Sequence, residues 1–254
     1  MRRTGFVGTR WLGVGLAAAL AVFTISLAAT GRLGLYINPD STWFAVSMSV
    51  FVLIGAVASF ALPLGAEADH GHDHGEEPEQ DHAHHTSHPL AVAATVAGGV
   101  AASGVVVLTL VLPPASLSAE LAMSRDVGAT PLFGGADTIQ LASTGDTASF
   151  GVGEWATVFA TATNPDAFDG ETVELTGFVT PGEDGAFDLT RLVITHCVID
   201  AQPASLPVVS GASAPDTGQW VTITGTVRSS SDGQLVVDAA AVEEIGEPED
   251  PYEY

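Results

Sequence analysis

Two groups of residues in this 254-residue chain have the types and spacing to do chemistry. The first is the stretch 65–89, GAEADHGHDHGEEPEQDHAHHTSHP. It gathers seven histidines (His70, His72, His74, His82, His84, His85, His88) and seven carboxylates into one polar island. Neutral imidazoles suit Zn, Cu, Ni and Fe, and nearby carboxylates can complete a coordination sphere. HGHDHG at 70–75 and HAHH at 82–85 are spaced for a flexible chain to wrap an ion. A loop without fixed geometry selects by availability and the Irving–Williams order rather than by shape. The expected chemistry is therefore capture, buffering or sensing of a transition metal, Zn(II) or another, and not catalysis. The plainer reading is a solvated polar linker of drifted composition.

The second group is His196, Cys197 and Asp200. Adjacent residues on a regular strand point to opposite faces, so His196 and Cys197 share a ligand only where the strand ends or kinks. Residues 200–203, DAQP, read as a chain leaving a sheet, which supplies such a kink. The functional reading is a small site binding a metal or a substrate group; the plainer one is a core cysteine, a satisfied strand histidine and a turn aspartate. Enzyme readings fare worse. A Cys–His nucleophile and base must meet in space, no lysine exists to complete a phosphate loop, and neither HExxH nor GxSxG occurs. The chain is expected not to be an enzyme. Cys197 is the only cysteine, so no intramolecular disulfide can form and cysteine usage does not report the compartment.

Around these groups the apolar residues crowd into three runs, 11–30, 43–64 and 90–112, each near the length that crosses a bilayer as a helix. The first follows Arg2, Arg3 and Arg10 and could be a secretory signal, but its length and the closeness of the second run favour an uncleaved span. The connector 31–42, GRLGLYINPDST, has Pro39 and Asp40 as a turn or helix start. Trp43 stands where an indole favours the membrane interface. Gly98, Gly99, Ala102 and Ser103 in the third run would admit a neighbouring helix closely. The basic N-terminus is held in the cytoplasm by the positive-inside rule. Three spans then leave the histidine island cytoplasmic and everything after Pro114 extracytoplasmic, in the plasma membrane. Only Ser and Thr interrupt the spans, so no buried charge marks an ion path, and the chain alone is a poor pore.

The formal charge is -23, and residues 113–254 hold 22 Asp and Glu against Arg125, Arg191 and Arg228. Nucleic-acid affinity comes largely from neutralising phosphates with Lys and Arg, so nucleic acid is excluded as a partner. Residues 113–150 read as a connector rich in Ser, Thr, Gly and Ala, with DTIQLA at 137–142 as one short strand. EWATVFATA at 154–162 has Trp155, Val158, Phe159 and Ala162 at helical spacing, ended by Asn164 and Pro165. Strand patterns follow at 172–180, 186–196, 220–229 and 234–242. VELTGFV (173–179) and VTITGTV (221–227) alternate around Gly177 and Gly225, the sign of a bulge or tight bend. Turns at 181–185 and 229–233 make two hairpins. The expected architecture is membrane α, with three transmembrane helices, plus a small all-β OB-like barrel with one short helix. It divides as 1–64 with two spans, 65–89 loop, 90–112 third span, 113–150 connector and 151–254 barrel.

NPDAFDGETVELTGFV (164–179), RLVITHCVIDAQ (191–202), the terminal EDPYEY (249–254), the histidine-rich loop and the YINP segment after the first span together resemble the YcgQ-like family of predicted bacterial permease subunits. The similarity covers nearly the whole chain and is strongest from about 150 to 254. Related members carry two adjacent cysteines where this sequence has His196 and Cys197. The resemblance implies a membrane accessory protein encoded beside a multi-span permease, and it supplies no substrate. The expected function is thus a permease accessory subunit with a metal-binding cytoplasmic loop. The alternatives are a stand-alone metal sensor or scavenger and, behind it, a thiol-dependent enzyme.

Overall fold

In a computed structural model the described residues are 3–61, 89–112, 115–117, 119–125, 147–182, 186–230 and 233–254. The histidine island, with all seven of its histidines, and the strand expected at 137–142 lie outside them. The chain forms two compact units, a helical one and a β-rich one, and the short segment Gly34–Pro39 folds with the second.

The helical unit contains α1 (Arg3–Ala29), α2 (Thr42–Ala61) and α3 (Pro89–Val111). α1 and α2 are long and apolar enough to cross a membrane, over the windows Leu12–Ala29 and Pro39–Ser59. Among the described residues Trp43, Phe44, Phe51 and Val57 of α2 are largely exposed, as lipid-facing residues would be. Ser49 and Ser59 return their hydroxyls to carbonyls one turn back. α3 is an apolar helix of 23 residues, with a described apolar stretch of Ala97–Leu108. Two clear span candidates thus stand where the sequence leads one to expect three. Of the small residues in α3, Gly99 makes the expected close approach: a methyl there would lie 3.2 Å from Leu12 of α1.

The β-rich unit begins with α4 (Ala119–Arg125) and α5 (Val152–Thr161), followed by β1 (Thr172–Pro181), β2 (Phe187–Val193), β3 (Gln202–Ser210), β4 (Trp220–Ser229), β5 (Leu235–Ile245) and β6 (Tyr252–Glu253). Five strands close into a barrel in the order β1-β4-β5-β3-β2 and back to β1, with β6 added parallel to β2. All pairings among the five are antiparallel except β3 with β5, consistent with an OB-like barrel. α5 comes before the first strand and plugs the barrel. Its Trp155 is met edge-on by Phe150, Phe159 and Phe168. Val152, Trp155, Ala156 and Val158 join the inward residues Leu175, Val179, Leu189, Leu206, Val221, Ile223 and Val237 in one core.

Closure depends on two glycines. At Gly177 β1 passes from β4 toward β2, and a methyl there would stand 2.6 Å from the Thr190 carbonyl oxygen. Gly225 marks a register shift between β4 and β5 and is covered by the backbone at Asp238 and Ala239. This is the bulge its pattern predicts.

The sequence reading needs two corrections. The strand expected to run to residue 196 ends at Val193. The chain that was to leave the sheet at 200–203 instead re-enters it at Gln202 as β3. β3 carries Pro203 and Pro207, which argue against a central strand. They are tolerated because β3 pairs with β5 only from Val208 onward, so its first half has one neighbour.

Overpacking a closed core costs about 1–3 kcal/mol. Gly225→Ala should therefore lower stability by roughly that amount in denaturant unfolding, whereas Gly211→Ala, with open space around it, should stay within about 0.5 kcal/mol.

Candidate ligand niche at His196, Cys197 and Asp200

Between β2 and β3 the chain makes an eight-residue excursion, 194–201, anchored at both ends. Ile194 and Ala201 are buried among Phe178, Leu192, Tyr252 and Ala122 on the outside of the barrel. Between the anchors the chain turns through a short 3-10 helix, Val198–Asp200. Asp200 organises the turn. Its carboxylate accepts from the backbone N–H groups of Thr195 (3.1 Å), His196 (3.0 Å) and Cys197 (3.1 Å). Burial works to raise the Asp200 carboxyl, but these three donors and the His196 imidazole outweigh it and hold the group below its ordinary value.

His196 Nδ1 lies 3.3 Å from Asp200 Oδ2. Nδ1 thus faces the carboxylate, and the His196 side chain is 82% exposed. A carboxylate behind a histidine is the usual support for a ligating or proton-accepting imidazole. Cys197 is half-buried. The structure therefore joins His196 to Asp200 and leaves Cys197 as their neighbour. Among the described residues, no group of three or more His, Cys, Asp or Glu is placed to hold a metal ion.

The remaining partners of this excursion come from far away in sequence. Ile37 and Cys197 form an isolated antiparallel bridge. Val198 N–H donates to the Tyr36 carbonyl (2.8 Å) and Asn38 N–H to that of His196 (3.0 Å). The Asn38 side-chain amide, buried, donates to the carbonyls of Thr195 (3.1 Å) and Ile194 (3.4 Å). From α4, Arg125 donates to the carbonyls of Ala201 (2.7 Å) and Val198 (3.4 Å). The backbone is thus held on several sides, while His196 and the 83%-exposed Ile199 project outward.

The terminal segment is a second clasp. Arg191 stacks on Trp220 and donates to the carbonyls of Thr176, Asp250 and Tyr252. Glu253 accepts from Val152 and Gly153 N–H (2.9 and 2.7 Å) at the start of α5, where the helix dipole favours a negative charge. Burial dominates there and pushes the Glu253 carboxyl above its usual value, against those donors and Arg191. The Tyr252 hydroxyl accepts from Leu117 N–H, and the Tyr254 hydroxyl donates to the Gly34 carbonyl. Asn38, Arg125 and Glu253 carry no motif that marks these roles; only the recurrence of YINP and EDPYEY in the resemblance hinted that those segments matter.

The DUF1980 N-terminal domain family matches residues 15–128 and the DUF1980 C-terminal domain family matches residues 154–254. The chain carries both DUF1980 domains. The C-terminal match covers the barrel and most of α5, and the N-terminal match runs from within α1 through α2, α3 and α4. A DUF3299 family protein from Pseudomonas aeruginosa PAO1 is similar at 20% identity, covering 35% of this chain and 73% of that one, with a TM-score of 0.21; so distant a likeness bears on neither fold nor function. No curated protein matches significantly.

Because Asp200 has a depressed pKa, its stabilising effect is full above the unfolded value of about 4 and is lost as pH falls through the folded one. Amide-exchange protection at Thr195, His196 and Cys197 should accordingly persist at pH 5 and fade only below about pH 4, while in Asp200→Asn it should be weak at every pH. At the other clasp, Glu253→Ala should cost about 1–3 kcal/mol in unfolding by orphaning two helix N–H groups, and Glu253→Gln, which keeps an acceptor, should cost less.

Proposed function

We propose that this DUF1980 protein is an integral membrane accessory subunit of a permease system. Three helices cross the membrane, the histidine-rich loop faces the cytoplasm and binds a transition metal, Zn(II) or another, and the barrel domain lies outside, covering the permease mouth or presenting a ligand. One observation carries the topology. Residues 36–38, in the connector between α1 and α2, pair with residues 194–198 of the barrel domain. The connector and the barrel must then share one face of the membrane. An even number of crossings separates them, and α2 followed by α3 provides two. A barrel reached after α2 alone would stand on the opposite face from its own partner strand.

The three arginines before α1 favour a cytoplasmic N-terminus, which puts the connector and barrel outside and residues 65–89 inside. Two chemistries then sit on opposite faces. On this topology the imidazole-rich residues 65–89, whose donors suit a borderline metal, lie inside; outside is the turn that presents His196. The permease role rests on the resemblance of the motif segments, since the spans themselves hold no charge that could line a path.

In intact cells an impermeant maleimide should reach the native Cys197 after mild denaturation, and should fail to reach His82→Cys in a Cys197→Ser background. The reverse pattern would overturn the topology. The full chain purified from Zn(II)-supplemented medium should lose most of its bound metal when residues 66–88 are deleted. If that deletion leaves the neighbouring permease transporting normally while metal tolerance falls, the protein is a sensor or scavenger instead.

A further inference from the structure

We propose that the free edge of β5, from Ala241 to Ile245, is a docking site for an extended, lysine- or arginine-bearing segment of another protein, which adds to the barrel as a further strand. The proposal concerns the β-rich unit alone and is independent of the histidine-rich loop and of the niche at His196. Its basis is a difference in strand length. β3 pairs with β5 only over Val208–Ser210, opposite Val237–Ala239. β5 then runs on to Ile245 with β4 as its one strand neighbour among the described residues. The bulge at Gly225 lies before this stretch, and over Ala241–Ile245 the pairing with Trp220–Thr224 is one to one.

The hydrogen bonds of β4 decide which groups of β5 are free. Val179 N–H donates to the Gln219 carbonyl, Val227 N–H donates to that of Glu171, and the register of β1 with β4 is unbroken between. Backbone groups alternate in direction along a strand, so odd-numbered residues of β4 face β1 and even-numbered ones face β5. Trp220, Thr222 and Thr224 therefore engage Ile245, Glu243 and Ala241. Val242 and Glu244, which lie between these, turn N–H and C=O away from the sheet. Nothing shields the stretch from outside: Ala240, Ala241, Glu243 and Glu244 are all exposed.

An edge of this kind is a template for another strand. Where the first half of β3 lacks a second neighbour, Pro203 and Pro207 have no N–H to offer; β5 carries no proline. Charge then selects the occupant. An added strand sets side chains beside Glu243 on one face and Glu244 on the other, and Glu247, Glu249 and Asp250 continue the acidic run with no Lys or Arg among them. A second copy pairing through the same edge would bring these carboxylates against their own kind, which is unfavourable. A cationic strand makes the same side chains attractive. The edge rejects itself and accepts a basic segment.

A blocked peptide of Thr, Val, Lys, Lys, Val and Thr, in that order, reads the same in both directions and so tests the edge whichever way a strand lies on it. In the full chain in a non-ionic detergent, the amides of Val242 and Glu244 should exchange fast and those of Glu243 and Ile245 slowly. Saturating peptide should slow Val242 and Glu244 at least about tenfold, and the analogue with Glu for Lys should not bind. Glu244→Gln keeps the N–H and should weaken the peptide about threefold, as befits one exposed charge pair. Glu244→Pro removes a donor only on the free side and should abolish binding with the unfolding midpoint little changed. Protection of Val242 and Glu244 in the dilute chain alone would overturn the proposal, because the edge would already be covered. Equal binding by Glu244→Pro and Glu244→Gln would reduce the contact to charge and overturn it too. Protection that grows as the chain itself is concentrated would assign the edge to a second copy instead.

Discussion

The pairing of residues 36–38 with residues 194–198 is the constraint on which the rest of this protein depends. A backbone segment that leaves a closed barrel must find partners for its N–H and C=O groups, in water or in protein. Here Asn38 and its neighbours supply them across a sequence distance of more than 150 residues. That long reach closes a hydrogen-bonded circuit within the β-rich unit, which residues 34–39 join.

Two carboxylates stabilise this circuit in opposite electrostatic regimes. Asp200 sits near the surface, takes three backbone N–H bonds and is held in its charged form. Glu253 lies much deeper, takes two N–H bonds at the start of α5 with Arg191 nearby, and still carries a raised pKa because burial outweighs its partners. By linkage, the stabilisation from Asp200 grows as pH rises through its depressed pKa, whereas that of Glu253 favours the protonated form and declines as pH rises through its elevated one. The Nε of Arg191, buried without a hydrogen-bond acceptor and 3.9 Å from Glu253, marks the imperfect compensation at the second site. The tail clasp is therefore the more pH-sensitive toward neutrality and the niche the more sensitive to acid.

Much of the fold was legible because its signals are local. The apolar runs gave α1, α2 and α3, the spacing of Trp155, Val158 and Phe159 gave α5, and the alternation around Gly177 and Gly225 gave β1 and β4 with their bends. β3 was illegible because Pro203 and Pro207 signal a break, and only the partner list, one neighbour until Val208, makes them compatible with a strand. The niche was half legible. That His196 and Cys197 stand off a regular strand matches the kink read there, but DAQP marks the re-entry into β3 and not an exit. Asp200 turns back to cap its own loop, and the YINP segment could not be found by periodicity because a single bridge has none. Tyr252 and Glu253 form too short a strand to leave a pattern.

The same circuit narrows what the barrel can bind. OB-like barrels elsewhere use the face of strands 2 and 3 and adjoining loops to take oligonucleotides or oligosaccharides, yet a fold by itself does not carry its function with it. In this chain the outer surface around β1, β2 and β6 is already occupied: Leu35, Leu117, Ala119 and Trp220 pack over Phe178, Leu192, Ile194 and Tyr252. Two of the three arginines are engaged within the unit, Arg191 on the terminal segment and Arg125 on the carbonyls of the niche, while the more exposed Arg228 stands beside Asp169 and Asp238. The acidic charge of this part of the chain and the internal partners of Arg125 and Arg191 weigh against a phosphate backbone as ligand. The turn that carries the exposed His196 and Ile199 is the one paired with residues 36–38.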